Sequence, residues 1–297
     1  MNPTGAEGAV QAEGSPEWAG AVRRALEVPV TIVIGESDTG KTTLVTVLAN
    51  ALVARGFRVA VLDADLGQSE IGPPTTIGLG RWTTPCARPS DAQVVGLHFV
   101  GTTSPAGNLL GALVGVRRLL DRARAGGHDR VVIDTSGLVA GGLGRALKQA
   151  KIDLTDPDLV LCLERADECG GIVDPYRGVR RPEVIRLPAS GLARQRTPEE
   201  RRGHRQRRLE DYFRTARPLT LALDEVVVRL PGGAPLGAGR AGEVGGLLAG
   251  LLDRDGQTLG LGIVRQLDPD TGLLQVDADV PEAEVAAVVI GRERYPA

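Results

Sequence analysis

The chain has 297 residues, 42% of them hydrophobic, and a formal net charge of −2 at pH 7. This length and composition support a buried core and exclude a mainly disordered chain, while the near-neutral charge excludes a protein that coats nucleic acid uniformly. The three cysteines lack metal-ligand spacing, and neither a signal peptide nor a membrane-spanning apolar run is present. We therefore expect a cytoplasmic protein that has no membrane partner and whose cysteines are reduced and structural. Any polyanionic partner would be held by local cationic clusters.

Short β-branched segments alternate with amphipathic segments from residue 28 onward. This pattern predicts an α/β fold in which helices flank a parallel sheet. The predicted strands cover residues 30–34, 59–62, 93–100, 130–133, 159–163 and 184–187. The predicted helices cover residues 41–55, 109–125 and 141–151. Because ligands in such sheets bind beyond the carboxyl ends of the strands, the functional residues should follow strands.

The domain organisation predicted from the sequence has three regions. Residues 1–27 are expected to form a flexible leader with at most one helix, over 18–26. Residues 28–217 form the main domain. Residues 218–297 form a small β-rich C-terminal domain, because short apolar runs at 225–230, 259–266 and 272–276 are separated by Gly- and Pro-containing turns. A helix is expected near residues 242–252.

A glycine-rich segment, GESDTGKT, follows the first predicted strand and opens the first predicted helix. It matches G-x-x-x-x-G-K-[ST], in which backbone N–H groups surround the phosphate oxygens of a nucleoside triphosphate. Lys41 is expected to reach the β- and γ-phosphates, and Thr42 to bind Mg²⁺. The predicted nucleotide-binding residues are Gly35, Ser37, Asp38, Thr39, Gly40, Lys41, Thr42 and Thr43. Lys41 is also conspicuous because every other cationic side chain is arginine, apart from Lys148 and Lys151.

Carboxylates follow two further predicted strands. Asp63 and Asp65 follow the strand at 59–62, and Asp134 follows the strand at 130–133. Either Asp65 or Asp134 could organise Mg²⁺, and Asp65 could accept a proton from an attacking hydroxyl. Asp63 or Asp65 could instead cap the next turn, so the sequence alone leaves the metal-organising role open.

Hydroxyl-bearing and proline-containing loops follow the same strands. Pro73-Pro74-Thr75-Thr76 is a stiff loop that could form the wall of an acceptor groove. Thr135 and Ser136 follow Asp134, where P-loop enzymes sense the γ-phosphate, although both are also ordinary turn formers.

An arginine cluster at residues 201–208 precedes Tyr212 and Phe213. In a helix, Arg201, Arg205 and Arg208 would share a face and could reach phosphates from a lid at about residues 196–215. The cluster could also be a solvated face, because acidic residues on both sides neutralise much of its charge.

These motifs, in this order, resemble the polynucleotide 5′-hydroxyl kinase family. That family includes the RNA kinase subunit of the eukaryotic pre-mRNA cleavage factor, the ribosomal-RNA-processing kinase, and shorter archaeal and bacterial members. The resemblance covers roughly residues 30–215. It is carried by the P-loop at 35–43, the Asp-Leu-Gly-Gln segment at 65–68 with the prolines after it, the turn at 98–105, the Asp-Thr-Ser-Gly turn at 134–137, and the arginine-rich segment at 201–213.

The resemblance implies in-line transfer of the γ-phosphate of ATP, with Mg²⁺, to the 5′-hydroxyl of single-stranded RNA or DNA. Asp65 would orient and deprotonate that hydroxyl, while the lid arginines, Arg205 first, would clamp the phosphoryl group. Glu164 and Arg165 would contact the adenine, unless they only begin a surface helix. The catalytic candidates are Lys41, Asp65, Arg201, Arg202, Arg205 and Arg208. The metal candidates are Thr42, Asp65 and Asp134, and the acceptor-binding candidates are Gln68, Pro74, Thr75, Thr76, Ser104, Thr135 and Gly137.

Two positions depart from the pattern of the family. Asp134 stands where Asn is common, which would add metal binding, and Pro74 stands where Gly is common, which would narrow the acceptor groove. The N-terminal β domain of the longer members has no counterpart here, so we expect a free-standing kinase. Two other functions would use the same P-loop. A nucleotide-dependent switch needs no arginine lid, and a non-catalytic ATP-binding subunit is expected to have lost Lys41, Thr42, Asp65 or an arginine of the cluster.

Overall fold

A computed structural model of the chain describes residues 16–191, 193–231 and 243–296. Its helices are α1 (Pro16–Glu27), α2 (Lys41–Ala54), α3 (Leu109–Ala125), α4 (Gly141–Thr155), α5 (Gly170–Val173) and α6 (Pro198–Tyr212). Its strands are β1 (Val30–Gly35), β2 (Val59–Ala64), β3 (Thr76–Trp82), β4 (Gln93–Phe99), β5 (Arg130–Thr135), β6 (Leu159–Glu164), β7 (Glu183–Pro188), β8 (Arg217–Ala222), β9 (Val227–Arg229), β10 (Leu247–Leu252), β11 (Thr258–Asp268), β12 (Leu273–Ala278) and β13 (Ala287–Arg294). None of the helices in these ranges is both long and apolar enough to cross a membrane.

The first half of the chain forms a mixed sheet in the order β7-β6-β1-β5-β2-β3-β4. The strands from β7 to β2 are parallel, whereas β3 and β4 are antiparallel to their neighbours. The α/β fold and all six predicted strands are therefore confirmed, although β4 does not run parallel as expected. Because β1 lies between β5 and β6, the segments that follow these three strands meet at one edge of the sheet.

Strand β3 lies in a segment for which the sequence analysis predicted no strand. Its sequence, TIGLGRW, contains two glycines, which lower strand propensity. A Cβ atom at Gly78 would lie 1.9 Å from the backbone oxygen of Ile71, so close packing of the preceding loop excludes a side chain there. The glycines that hide the strand from pattern analysis are therefore needed for its packing.

Apolar residues cover both faces of the sheet. Leu44 and Leu48 of α2 pack on one face, and Val116 and Leu120 of α3, with Ile152 of α4, pack on the other. These residues are fully or almost fully buried. Two helical layers thus hold the sheet, and its strand ends carry the polar loops.

The structure corrects the predicted flexible leader for residues 16–27. Helix α1 buries Trp18, Ala21 and Ala25 at 7%, 1% and 1% exposure in the cluster that contains α2. Their spacing of three and four residues gives the helix one apolar face. Arg24 also forms an ion pair of 2.5 Å with Glu183, so this end of the chain is joined to β7. Residues 1–15 lie outside the described residues.

The C-terminal region extends the main sheet. Strand β11 pairs with β4 at Thr258 and Leu97, and the order continues through β10, β13 and β9. The helix predicted near residues 242–252 is wrong, because Leu247–Leu252 is strand β10, paired with β11 and β13. Its sequence, LLAGLL, is apolar on every side, so periodicity could not separate a helix from a strand buried on both faces. Residue 242 lies outside the described residues.

Candidate active site

The P-loop connects β1 to α2 and holds a buried lysine. Lys41 is only 7% exposed, and its Nζ donates to the backbone oxygen of Glu36 at 2.5 Å. Gly40 has a φ of 96°, and a Cβ atom there would lie 2.9 Å from the Cβ of Ser190, so both backbone conformation and space require glycine. Burial lowers the pKa of Lys41, while the charges of Asp134, Asp65 and Asp38 oppose that effect. The loop therefore presents one buried ammonium group beside three carboxylates.

Asp134 lies against the P-loop hydroxyl. Its Oδ2 accepts from Thr42 Oγ1 at 2.7 Å, and its Oδ1 accepts from its neighbour's backbone N–H at 2.8 Å. Burial raises the pKa of Asp134, and the charge of Lys41 and the bond from Thr42 act in the opposite direction. A threonine hydroxyl and a carboxylate in contact supply the hard oxygen ligands that Mg²⁺ prefers.

Asp63 braces the loop that follows β2. It pairs in register with Asp134 of β5, and its two oxygens accept from the backbone N–H groups of Asp65, Glu70 and Ile71 at 2.7–3.0 Å. Burial, helped by the charge of Asp134, raises the pKa of Asp63 to about 8. Of the two readings for Asp63, the contacts support the turn-capping one.

Asp65 is half-buried at the start of the same loop. Its Oδ1 accepts from the backbone N–H groups of Gly67 and Gln68, both at 3.0 Å. Its Oδ2 accepts no hydrogen bond from the described residues. Two backbone donors therefore fix the orientation of this carboxylate and leave one oxygen for another partner.

Helix α6 spans the P-loop and the loop after β2. A capping box at Thr197 and Glu200 begins the helix. Arg201 Nη2 forms an ion pair of 2.6 Å with Asp38 Oδ2 in the P-loop. Arg208 lies two turns further along on the same face of the helix. Its Nη2 donates to the backbone oxygens of Glu70 and Gly72 at 2.9 and 2.8 Å. The helix thus lies across the site with an arginine face turned inward.

The other two arginines predicted to be catalytic, Arg205 and Arg202, differ in position. Arg205 lies at the i+4 position between Arg201 and Arg208, is half-buried, and has no hydrogen bond or ion pair with the described residues. Arg202 is exposed and makes no such contact either, and the helical spacing places it off that face. The structure therefore brings Arg201, Arg205 and Arg208 together, whereas Arg202 fits the solvated-face alternative.

The acceptor-binding candidates fall into two groups. Three of the polar ones are engaged internally: Gln68 Nε2 donates to the backbone oxygen of Arg201 at 3.3 Å, Thr76 Oγ1 to that of Pro73 at 2.7 Å, and Thr135 Oγ1 to that of Val33 at 2.8 Å. The other group presents atoms without such bonds. It contains the buried Pro74, the exposed Ser104 and Thr75. Thr75 is fully buried at a φ of 75°, and its Oγ1 has no partner among the described residues.

Gly137 joins the turn after β5 to the P-loop. A Cβ atom at this position would lie 2.1 Å from Ser37 Oγ and 2.4 Å from its backbone nitrogen. The residue beside it, Ser136, has a buried hydroxyl without a partner among the described residues. Gly137, predicted to bind the acceptor, therefore packs on the P-loop backbone in the structure. The unpaired hydroxyl of Ser136 is the better candidate for a ligand contact.

The loop at residues 101–104 is held by the C-terminal region. Glu293 Oε1 of β13 accepts from the backbone N–H and the Oγ1 of Thr103, at 3.0 and 2.9 Å. The Thr103 backbone oxygen in turn lies where a Cβ atom at Gly67 would approach within 2.7 Å. The loop that carries Asp65 therefore packs on a loop that β13 supports.

Glu164 and Arg165 make different contacts. The Glu164 carboxylate accepts from Arg186 at 2.5 and 2.9 Å and is 9% exposed, so it is engaged within the protein. Arg165 Nη2 donates to the backbone oxygen of Asp38 at 2.5 Å.

Ligand atoms of Cys162, Glu164 and Cys169 lie within 4.8 Å of one another. However, a hydrogen bond with Cys169 and burial raise the pKa of the Cys162 thiol, which disfavours a thiolate ligand and supports the structural interpretation of these cysteines.

Two buried lysines of α4 had no role assigned to them from the sequence. Lys148 and Lys151 of α4 are both 0% exposed. Lys148 Nζ donates to Thr135 Oγ1 at 2.8 Å and to the backbone oxygen of Ser136, whereas Lys151 Nζ has no hydrogen-bond partner among the described residues. Burial lowers the pKa of both ammonium groups, to about 8 for Lys151. The signal was present in the composition, because these two and Lys41 are the three lysines of the chain.

Three comparisons with known proteins point to the same family. Residues 35–215 match the family model described as mRNA cleavage and polyadenylation factor CLP1 P-loop. A polyribonucleotide 5′-hydroxyl-kinase of Pyrococcus furiosus is 39% identical over 197 residues, which cover 66% of this chain and 54% of that protein. A polyribonucleotide 5′-hydroxyl-kinase of Thermococcus kodakarensis is 31% identical over 317 residues, which cover 90% of this chain and 88% of that protein.

The structural comparison supports the same fold. The structure of the wild-type Clp1p–Pcf11p complex contains a chain with a TM-score of 0.70 and 13% sequence identity, which covers 90% of this chain and 74% of that one. The chain spans 54–60% of the length of the three Pyrococcus relatives. Since the family model covers well over half of its residues, the chain belongs to the CLP1 P-loop family.

Proposed function

We propose that this protein is an ATP-dependent polynucleotide 5′-hydroxyl kinase, which transfers the γ-phosphate of ATP to the 5′-hydroxyl end of RNA or DNA. The observation that carries the proposal is the placement of α6, which contacts the P-loop through Arg201 and the loop after β2 through Arg208. A lid of cations over a P-loop serves phosphoryl transfer, because charge develops on the transferred group. The family relatives named as polyribonucleotide 5′-hydroxyl-kinases support the same function.

The site fits a nucleoside triphosphate and Mg²⁺. Lys41, Gly40 and the N-terminus of α2 provide the positive charge and backbone N–H groups that phosphates require. Thr42 and Asp134, in contact at 2.7 Å, would hold Mg²⁺. When bound, Mg²⁺ would neutralise charge on the phosphates and orient them.

Asp65 is the residue that we assign to the acceptor hydroxyl. Its Oδ1 is fixed by two backbone N–H groups, so its Oδ2 can accept the proton of the 5′-hydroxyl as that oxygen attacks. Asp63 cannot take this role, because both of its oxygens bind backbone N–H groups. Arg205, which has no hydrogen bond or ion pair among the described residues, would contact the transferring phosphoryl group. Single-stranded ends would lie along the loops at 73–76 and 101–104.

The first experiment measures transfer of label from the γ-phosphate of ATP, with Mg²⁺, to matched 5′-hydroxyl RNA and DNA oligonucleotides. We expect the wild-type chain to label the oligonucleotide and Lys41→Ala to label nothing. The control is the same oligonucleotide already carrying a 5′-phosphate, which should neither accept label nor stimulate ADP release. No label from the wild type, with ATP still bound, would contradict the kinase and leave a nucleotide switch or a non-catalytic ATP-binding subunit.

A second experiment separates the two carboxylates. Asp65→Asn should retain ATP binding and lose at least about 100-fold in turnover, as expected for loss of a general base. Asp134→Asn is the matched variant and should weaken Mg²⁺-dependent ATP binding. Loss of ATP binding in Asp65→Asn would instead place Asp65 in the metal-organising role.

A further inference from the structure

We infer that Asp38 of the P-loop is a positioning residue, which pins the lid helix through Arg201 so that Arg205 faces the phosphoryl-transfer site. The inference rests on the proposed kinase function and goes beyond it, because Asp38 was predicted from the sequence only as a nucleotide-binding residue. It gives Arg201 and Arg205, two of the three inward arginines of the lid, different tasks. Arg201 anchors the helix, and Arg205 serves the reaction.

The contacts of Asp38 are with the lid. Its Oδ2 accepts from Arg201 Nη2 at 2.6 Å and from the backbone N–H of Arg196 at 3.0 Å. Its backbone oxygen accepts from Arg165 Nη2 at 2.5 Å. One P-loop residue therefore holds the segment that leads into α6, the first turn of α6, and the segment that follows β6.

The local environment makes this ion pair stronger than an exposed one. Asp38 and Arg201 are 15% and 32% exposed, so solvent screens the pair only partly. The φ of Asp38 is 58°, a left-handed conformation that Asp tolerates better than most residues. The backbone and the ion pair thus fix the carboxylate toward the lid.

A carboxylate in a phosphate-binding loop requires an explanation. By itself, the negative charge of Asp38 would repel a triphosphate held by the same loop. Arg201 neutralises that charge and brings the first turn of α6 onto the P-loop. An acidic residue is therefore understandable in this loop, despite its repulsion of the triphosphate, if it organises the lid.

The anchor determines where the next arginine lies. Arg205 follows Arg201 by four residues, so it projects from the same face one turn along the helix. Arg208 is bonded to the backbone of the loop after β2, which fixes the far end of that face. Between these two fixed points, Arg205 is the inward arginine that remains without a hydrogen bond or ion pair among the residues described.

The test is a double-mutant cycle with two readouts. Asp38→Ala and Arg201→Ala should each lower kcat by about 10- to 100-fold and change the ATP dissociation constant by less than about 3-fold, because they disturb a group that acts in the transition state. In the Arg205→Ala background, Asp38→Ala should have less than about 3-fold further effect, since Asp38 acts through Arg205. Asp38→Asn keeps an acceptor for the Arg196 N–H and should recover part of the loss.

A matched control isolates the position of the ion pair. Asp277→Ala removes an Arg–Asp pair of the same 2.6 Å spacing, with Arg265 in the C-terminal strands, and should leave kcat within about 2-fold. Hydrogen exchange of residues 196–212 should be faster in Asp38→Ala than in the wild type and unchanged in Asp277→Ala.

Three results would overturn the inference. One is weaker ATP binding by Asp38→Ala with an unchanged kcat, which would leave Asp38 as a nucleotide-binding residue. Another is full additivity of Asp38→Ala and Arg205→Ala. The third is unchanged exchange of the lid in Asp38→Ala. Because exchange needs no turnover, failure of the kinase function itself remains distinguishable from failure of the anchor.

Discussion

Lys151 gives a prediction whose magnitude follows directly from its environment. Its ammonium group is 0% exposed and has no hydrogen-bond partner in the described part of the chain. Burial lowers the pKa of Lys151 from 10.5 to about 8, although the charges of Asp65, Asp63 and Asp134 partly offset that effect. Each pKa unit corresponds to about 1.4 kcal/mol, so the protonated lysine destabilises the folded chain by about 3 kcal/mol at pH 7.

Lys151→Met replaces the ammonium group with an apolar side chain of similar length. We expect the free energy of unfolding at pH 7 to rise by up to about 3 kcal/mol, measured by urea denaturation. The sign of the pH dependence follows from linkage: the unfolded lysine binds its proton more tightly, so wild-type stability rises as the pH increases from about 8 to 10.5. The advantage of the variant should therefore shrink across that interval and vanish above it.

Lys148→Met is the matched comparison on the same helix face. Its removal leaves Thr135 Oγ1 and the Ser136 backbone oxygen without a donor, at a cost of about 1–3 kcal/mol, so it should gain less than Lys151→Met. A loss of stability in Lys151→Met at pH 7, or a difference from the wild type that does not change with pH, would refute the reasoning.

Three further predictions concern the lid, the P-loop and helix α1. Arg205→Ala should lower kcat by about 100-fold or more, whereas the exposed Arg207→Ala on the same helix should change it by less than about 3-fold; equal effects in steady-state assays would remove the special role of Arg205. Gly137→Ala should weaken ATP binding by at least about 10-fold in titrations, because the new methyl group collides with the P-loop. Gly142→Ala should bind ATP normally, because a methyl group there meets no atom within 4 Å beyond its own helix backbone and chain neighbours. Trp18→Ala should lower the free energy of unfolding by about 3 kcal/mol in urea denaturation, and an unchanged value would restore the flexible leader.

The sequence predicted the elements whose pattern is strong. Strands β1, β2, β5 and β6 consist largely of β-branched and apolar residues, and the P-loop motif lies between a strand and a helix as its mechanism requires. Strand β3 was missed because Gly78 and Gly80 weaken the local signal while close packing against Ile71 fixes the strand. Strand β10 was assigned to a helix because its all-apolar sequence has no useful period.

The site was predictable only in part. Residue type and spacing identified Lys41, Asp65 and Asp134, but separating Asp63 from Asp65 required the backbone N–H groups that each carboxylate accepts. Those bonds depend on how the loop folds back over β2, which the local sequence does not specify. The scarcity of lysine marks Lys148 in the composition, but its contacts were equally inaccessible from the sequence. A lysine on an amphipathic helix is usually solvated, and the partners of Lys148 belong to the turn after β5.

Strand β13 supports the loop at 101–104, so the segment that matches the family and the segment that folds together have different C-terminal boundaries. The family match ends at residue 215, yet Glu293 holds Thr103, and β11 pairs with the outer strand β4. A fragment trimmed to the matched residues would retain every motif but expose the edge of β4 and release a loop beside Asp65. The segment recognisable by homology is thus smaller than the segment that must fold together, and expression of this protein for biochemistry should include its C-terminal strands.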